Sequence, residues 1–236
     1  MGKLYHLSRL AAPKAWPIKR KGIKWIARSI PGPHNLGMAM PLSVWLKEVL
    51  GLAGTTNSIK KILNAGEIKV NNKTAKEPNF PVGIFDVISI EKIGRHYRIL
   101  VDKNGRLRLA EIPRSESRTI TLKITSKQAI QNGKTQIAFN NGWTIITDKK
   151  FAPGDCIMFD FETKKVKSHF KPEAGMLAYV ISGEHANQIA ELKSIKAEGV
   201  LRKKKLAVLL HDSEMFETSL DKIFIVGKEA PEISLK

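Results

Sequence analysis

Short runs of alternating apolar and polar residues, separated by glycine turns, restrict the fold of this chain more than any other feature. In residues 118–170, Ile120, Leu122 and Ile124 show the period of two that is typical of half-buried strands. The turn signals between the runs are Asn132-Gly133, Asn141-Gly142 and Pro153-Gly154-Asp155. Short strands at this spacing predict a small β-sandwich or barrel.

The β pattern continues to the end of the chain. A hairpin is predicted from residues 156–161 and 166–170 around the polar sequence ETKK, and five further apolar segments follow with short gaps. These five predicted strands are MLAYVIS at 176–182, AELKSI at 190–195, LAVLL at 206–210, MFETSL at 215–220 and KIFIVG at 222–227. Together they predict an SH3-like barrel closed by the C-terminus.

Two short helices are predicted before the β region. Residues 41–50 place apolar side chains at the three-and-four spacing of one helical stripe, with Pro41 suited to the first turn and Gly51 to the C-terminal stop. A second helix is expected to start with Asn57 or Ser58 as its cap. The predicted buried stripe of this second helix consists of Ile59, Ile62 and Leu63.

The second helix leads directly into a strand. Lys60 and Lys61 lie off its apolar stripe and are expected to point outward, and Gly66 ends the helix. The sequence IKV then places Lys69 between two apolar residues, as in a half-buried strand, before a turn at Asn71-Asn72. A helix with an outward pair of lysines therefore leads directly into a short half-buried strand.

A hairpin is predicted over residues 95–112. Asn104-Gly105 provides the positive φ values of a tight turn. Alternation in the second strand places Arg106 and Arg108 on one face and leucines on the other.

The first 40 residues form a basic arm. Residues 1–40 carry eight Lys and Arg side chains and no acidic one, whereas residues 171–236 carry ten of each sign. Four prolines prevent a long helix, so we expect the arm to be disordered in the free protein and to lie along a polyanion. Trp16, Trp25 and His34, interleaved with the cations, are the residue types that stack on bases. The alternative is a disordered tail whose two tryptophans anchor it on its own domain.

Composition points to the same class of partner. The chain of 236 residues has 40 Lys and Arg against 22 Asp and Glu, a net charge of +18, which favours a polyanion as partner, either nucleic acid or an anionic membrane. No apolar run has the roughly 20 residues of a membrane span, and no signal peptide is visible. The single cysteine, Cys156, excludes an intrachain disulfide and fits a reducing compartment.

Signals of catalysis or of metal and cofactor binding are absent from the sequence. The six histidines lack metal-ligand spacing, and QNGKT lacks the first glycine of a phosphate loop. Cys156 is expected to be a buried small residue, and Asp155, Asp160 and Glu162 to be solubility residues at strand ends. We therefore expect no enzyme, no metal and no cofactor.

The segment from Pro41 to Glu91 resembles the αL RNA-binding motif of ribosomal proteins and RNA-modifying enzymes. The resemblance rests on the order helix, loop, SIKK helix, glycine, IKVNN and PVG-x-x-DVISI. It implies that Ser58, Lys60 and Lys61 on the helix, with Lys69 on the strand, face RNA.

Nearly the whole chain is similar to the archaeal and eukaryotic S4e family of small-subunit ribosomal proteins. The matching sequences are HLSRLAAPKAW at 6–16, GPHNL at 32–36, DKNGRLRLAEI at 102–112 and DKIFIVGKEAPEISL at 221–235. The resemblance implies a multi-domain α+β protein with a C-terminal KOW-type barrel of the SH3 kind. The expected parts are a basic extension at 1–40, an αL domain at 41–104, a central β domain at 105–170 and the barrel at 171–236.

The last of these parts departs from the family pattern. Asn187 and Ala190 stand where the KOW pattern has glycine, whereas Gly183 is in place. Asparagine tolerates positive φ better than other side chains, so we expect the turn at Asn187 to persist. Glu184 and Glu191 make this loop less attractive to phosphate, so the barrel is expected to be a weaker RNA contact.

The predicted function is structural: binding and stabilising small-subunit ribosomal RNA in the cytoplasm, beside neighbouring ribosomal proteins and without a homo-oligomer. Alternatives are an RNA-modifying enzyme guided by an αL module and a KOW-type translation or transcription factor. The predicted RNA contacts are Arg9, Lys14, Trp16, Lys19, Arg20, Lys21, Lys24, Arg28, His34, Ser58, Lys60, Lys61, Lys69, Arg95, Arg106 and Arg108.

Overall fold

The computed structural model describes residues 6–130, 133–198, 204–212 and 214–235. Asn132 of one predicted turn, and the start of the arm, lie outside these residues. The chain forms two compact units. One holds residues up to Leu100 together with Arg106–Ile120, and the other holds Val101–Gly105 and the chain from Thr121 onwards. Most of the regular structure is β, with few and short helices.

Within the described residues, the first unit contains two helices, eight complete strands and most of a ninth. Its helices are α1 (Leu42–Val44), which continues as a π-helical turn (Trp45–Val49), and α2 (Thr56–Asn64). Its strands are β1 (His6–Ser8), β2 (Trp25–Ala27), β3 (Ala39–Pro41), β4 (Ile68–Val70), β5 (Lys73–Thr74), β6 (Pro81–Gly83), β7 (Val87–Ile90), β8 (Arg95–Val101, whose last residue counts with the second unit) and β9 (Leu107–Ile112). A 3₁₀ turn at Glu116–Arg118 follows β9.

Both predicted helices are present, with differences at their ends. The first widens into i→i+5 bonding, as Leu50 N donates to Trp45 O at 3.0 Å, and Gly51 has a φ of 63° at its end. The predicted cap of the second helix is wrong, because the side chain of Thr55 accepts from Ser58 N at 3.2 Å. Capping at this earlier residue places Ser58 inside the first turn.

The strands of the first unit form three antiparallel sheets. β1 pairs with β2, and β3 pairs with β6. The largest sheet has the order β5-β4-β7-β8-β9, so the predicted hairpin over 95–112 is confirmed, with Gly105 at a φ of 70° in its turn. The predicted boundary after residue 104 falls inside this hairpin, and β9 joins the sheet that contains β4, β5 and β7.

The second unit contains two five-stranded sheets. The first, with the order β12-β11-β10-β13-β14, confirms the predicted hairpin around ETKK. Its strands are β10 (Thr119–Ala129, whose first two residues count with the first unit), β11 (Thr135–Phe139), β12 (Thr144–Thr147), β13 (Cys156–Asp160) and β14 (Lys165–Phe170).

The second sheet confirms all five strands predicted at the C-terminal end. Their order is β18-β17-β16-β15-β19, and every pairing is antiparallel. Asn187 has a φ of 67°, so the expected left-handed turn is confirmed. The strands are β15 (Leu177–Val180), β16 (Ile189–Glu198), β17 (Lys204–His211), β18 (Glu214–Ser219) and β19 (Ile223–Gly227), with a 3₁₀ turn at Leu220–Lys222.

The core of the second unit contains the ionisable side chains of Cys156, Lys123 and Asp155. Cys156 is buried, as expected, and burial raises the pKa of its thiol to about 11, which keeps it protonated and unreactive. Lys123 is also buried, and its Nζ donates to the carbonyls of Leu220 and Ile223. The solubility role expected for Asp155 is wrong, because this carboxylate is buried and lies 2.7 Å from His169 Nε2.

Candidate RNA-binding surface

Helix α2 presents its lysines to solvent because its apolar stripe faces the core. Ile59 and Leu63 are fully buried, one helical turn apart, whereas Lys60 and Lys61 on the opposite side are exposed. Ser58 is exposed at the start of the helix, and its Oγ lies 2.9 Å from Thr55 Oγ1. The sequence prediction of an outward cationic face is therefore confirmed for this helix.

The chain reverses after α2 and adds a cationic strand pair. Gly66 adopts a φ of 76°, and a Cβ at this position would lie 3.6 Å from Thr74 of β5. Lys69 on β4 forms an ion pair with Glu91 at 2.6 Å. Hydrogen bonding and charge from Lys69 lower the pKa of Glu91. Exposed Lys73 follows on β5, a cation that the sequence analysis missed because β5 has only two residues.

The described part of the basic arm is folded onto the other elements of the first unit. Trp16 is 1% exposed, and its indole N–H donates to Ala39 O at 2.9 Å. Leu107 N of β9 donates to Ala15 O at 2.7 Å, and Ile30 N donates to Asn79 O at 3.0 Å. The structure corrects two expectations: Trp16 is a core residue with no face for a base, and residues 6–40 have fixed contacts without RNA.

Two arginines of the arm also serve the fold. Arg9 is 5% exposed, bonds Glu48 at 2.6 Å and donates to Lys19 O at 2.9 Å. Arg20 donates to three carbonyls, those of Arg9, Ala12 and Pro13. Arg9 and Arg20, both predicted RNA contacts, therefore have roles in the fold, because their guanidinium groups neutralise a carboxylate and satisfy backbone acceptors that the irregular chain leaves open.

The imidazole of His34 is part of a buried polar network. Its Nε2 lies 2.8 Å from Asp86 Oδ2, and Asp86 also accepts from Asn71 Nδ2 and Gly83 N. Burial lowers the pKa of His34, but the charge and hydrogen bond of Asp86 outweigh it, and the net pKa is raised. A Cβ at Gly83 would lie 2.6 Å from the ring, so only glycine fits beneath it. The predicted RNA contact at His34 is corrected to a link between arm and sheet.

The other cations predicted in the arm are exposed. They lie in the chain between β1 and β2 and just beyond it. These residues are Lys14, Lys19, Lys21, Lys24 and Arg28. Because the arm is folded, their positions are fixed by the ribbon formed by β1 and β2 together with its connecting loop.

Trp25, which the sequence analysis noted but did not select, is the exposed aromatic residue of the ribbon. Its ring is 51% exposed, makes an edge contact with His6 at 5.6 Å and has Lys24 Nζ at 5.0 Å from its centroid. It lines a cleft of about 230 Å³ that also reaches Lys47 and Thr56, so the ribbon lies beside the start of α2. The alternation of β2, with Ile26 buried, is the signal that distinguishes Trp25 from Trp16.

The hairpin arginines are less uniform. Arg106 is exposed in the turn region, and Arg95 is exposed and lies 3.7 Å from Glu111. Arg108 is half-buried within β9.

No cluster of three or more potential metal ligands occurs in residues 6–130, 133–198, 204–212 and 214–235. Over the same residues, no helix is long and apolar enough to cross a membrane.

Family models match three consecutive parts of the chain. The chain matches the RS4NT (NUC023) domain over residues 1–37, the S4 domain over 40–88 and Ribosomal family S4e over 93–166. The crystal structure of the 30S ribosomal protein S4e from Thermoplasma acidophilum superposes with a TM-score of 0.70 at 28% identity, covering 81% of this chain and 96% of that one.

Curated relatives match along the whole length. Small ribosomal subunit protein eS4 of Methanocella arvoryzae is 34% identical over 97% of this chain and 96% of its own. The protein of the same name from Methanosphaera stadtmanae is 36% identical over 100% of this chain and 97% of its own. This chain therefore belongs to the S4e family of small-subunit ribosomal proteins.

Proposed function

We propose that this protein binds and stabilises small-subunit ribosomal RNA through α2, the β4–β5 hairpin and the exposed cations of the ribbon. Membership of the S4e family makes it a structural constituent of the small ribosomal subunit in the cytoplasm, and not an enzyme. Neither a modifying enzyme nor a transient factor is favoured.

The helix–glycine–strand unit carries the proposal. Lys60 and Lys61 are exposed on α2, and Gly66 returns the chain so that Lys69 and Lys73 follow on adjacent strands. Burial of Ile59 fixes the orientation of the helix, so the lysines keep their positions without RNA. A rigid cationic surface binds a polyanion at a lower entropy cost than a mobile tail.

Binding through this surface depends on exchange of counterions. Lysines that replace condensed cations along RNA make affinity fall steeply with salt. The surface ion pair of Lys69 with Glu91 is held only weakly in water, so Lys69 exchanges the carboxylate for a phosphate when RNA arrives. Because a deep, narrow groove hides base edges in duplex RNA, we expect recognition of backbone shape and of unpaired junctions.

The folded arm enlarges the surface. Its described part is held by Trp16 and by the Arg9–Glu48 pair, while Lys14, Lys19 and Lys21 face solvent. We propose that these side chains contact the same RNA region as α2, because the ribbon lies beside the start of that helix. Arg95 and Arg106 extend the contact along the hairpin.

The division of the chain into domains is also part of this proposal. The family order suggests a basic extension at 1–40, followed by an αL domain that begins at residue 41 and includes the whole hairpin β8–β9. A central β domain then ends at residue 170, and a KOW-type barrel covers residues 171–236. The positive φ of Asn187 supports the KOW turn, and a near-neutral charge makes this part a weaker RNA contact. We expect one copy per subunit, in contact with neighbouring ribosomal proteins.

Cross-linking of the intact protein in cell lysate, followed by sedimentation and identification of linked peptides and RNA, tests the proposal. The protein should travel with the small subunit and link through residues 14–28 and 58–73. Free sedimentation, or links only through residues 171–236 to unrelated RNAs, would contradict it.

A further inference from the structure

The cleft beside Trp25 has the size of a site for one ring system. It occupies about 230 Å³ between β2 and the helices α1 and α2. Its walls include His6 and Trp25 from the ribbon, Ser43 and Lys47 from the first helical segment, and Thr56 at the start of α2. Drug-sized ligands occupy pockets of roughly 300–1,000 Å³, so this cleft accepts a smaller group.

One wall provides an aromatic surface. Trp25 remains 51% exposed although its strand is paired with β1. His6 contacts the indole at an interplanar angle of 64° and holds it in place from one side. A half-exposed indole next to Lys24 is a suitable partner for a stacked base, since stacking and cation attraction act together there.

The same walls contain polar atoms without a partner. Arg9 and Ser43 are only 5% and 6% exposed, and both line the cleft. Neither Arg9 Nε nor Ser43 Oγ has a hydrogen-bond partner within the described ranges. Buried polar atoms are rarely left unpaired, because each unpaired group costs free energy. These atoms indicate an occupant that brings hydrogen-bonding groups with it.

We propose that the cleft holds one unstacked nucleobase of the ribosomal RNA, with its face on Trp25 and its polar edge toward Arg9, Ser43 and Glu48. This inference rests on the proposed function. The Arg9–Glu48 pair makes the inner wall nearly neutral, which suits a base better than a phosphate. Lys24 and Lys47 are placed to contact the flanking phosphates.

A nucleobase fits these features better than a protein side chain. A base has a flat face for Trp25 and an edge with both donors and acceptors for Arg9 and Ser43. An apolar side chain would fill the volume but leave both polar atoms unpaired. Because bases in a duplex are stacked and paired, the nucleotide must come from a loop, a bulge or a junction.

Binding of the full-length protein to transcribed small-subunit ribosomal RNA tests the inference. Trp25→Ala should weaken binding about 5- to 100-fold, as expected for the loss of one stacked base, without changing the salt slope, because no charge is removed. Trp25→Phe should recover most of the affinity. Ser43→Ala should lower affinity while leaving the thermal unfolding midpoint unchanged or higher. Ile23→Ala is the matched control, since this side chain is exposed on the same arm outside the cleft.

Photo-cross-linking provides an independent readout: a linked peptide containing Trp25 should carry a nucleotide from an unpaired region. Trp25→Ala that binds like the wild type overturns the inference, as does equal weakening by Ile23→Ala. Trp25→Ala that binds naked RNA normally but enters the subunit poorly also overturns it and assigns the cleft to a protein side chain. A wild-type protein without salt-dependent RNA binding would instead overturn the proposed function.

Discussion

The basic arm and helix α2 have similar cations in sequence but use them in different ways. In α2, both lysines beside the apolar stripe are exposed. In the arm, Arg9 and Arg20 bond a carboxylate and backbone carbonyls, and Trp16 and His34 are buried. Helical periodicity predicts which side chains face outward, whereas an irregular segment has no periodicity from which side-chain directions can be predicted. Its own carbonyls require donors, and nearby arginines supply them.

The largest effect on stability is expected at Trp16, because this side chain is part of the core. Trp16→Ala should lower the free energy of unfolding by about 3–5 kcal/mol, because it leaves a cavity and unpairs Ala39 O. Urea unfolding followed by circular dichroism measures the change. Trp25→Ala is the control on the exposed ring and should cost much less. Similar losses for both tryptophans would contradict the assignment.

A smaller effect is expected at Arg9. Arg9→Met should lower the free energy of unfolding by about 3 kcal/mol. This value is near the lower limit for a broken buried ion pair, because 20% of the Glu48 side chain is exposed. The double variant Arg9→Met with Glu48→Leu should recover part of this loss in thermal unfolding. An Arg9→Met variant as stable as the wild type would contradict this role of Arg9 in the fold.

His34 predicts a pH dependence of the arm. Its folded pKa is raised above 6.5 because Asp86 outweighs burial, so its stabilisation is complete below pH 6.5 and is lost as pH rises through the folded pKa. Chemical unfolding at several pH values above 6.5 should show this decline, and His34→Gln should remove it. His6→Gln, with an exposed ring, is the control and should leave the profile unchanged. A decline that persists in His34→Gln would assign the effect elsewhere.

The smallest effect on stability, and a clear effect on RNA, is expected in α2. Lys60→Ala with Lys61→Ala should change the free energy of unfolding by less than about 0.5 kcal/mol. The salt slope of ribosomal RNA binding should fall by about 1 to 2, because each lost phosphate contact contributes about 0.7–0.9. The exposed pair Lys149→Ala with Lys150→Ala is the matched control. An equal loss of slope in the control pair would mean that binding follows net charge and not this surface.

Regular elements were predictable where side-chain periodicity was strong. The five C-terminal strands, the ETKK hairpin and the outward lysines of α2 were all found from spacing alone. The cap at Thr55 was missed because Asn57 and Ser58 are equally good cap residues. The sequence analysis did not assign β9 to the sheet of β4, β5, β7 and β8, because the alternation of side chains along a strand does not show which sheet the strand joins.

The candidate site was predictable in type but only partly in its members. Positive charge indicated a polyanion as the partner, and the resemblance to the αL motif selected RNA together with Lys60, Lys61 and Lys69. Trp25, the aromatic residue facing the cleft, was noted but not chosen, because burial of Trp16 by Ala39 and its neighbours depends on distant parts of the chain.

The sequence by itself determined the polyanionic class of partner and most strands, because charge and periodicity are local properties. Tertiary structure alone decided which arm side chains are held in the fold and which are exposed. Trp16 meets Ala39, Arg9 meets Glu48 and His34 meets Asp86. Each of these pairs joins residues far apart in the chain, and in a segment without repeating backbone hydrogen bonds only such contacts fix the direction of a side chain.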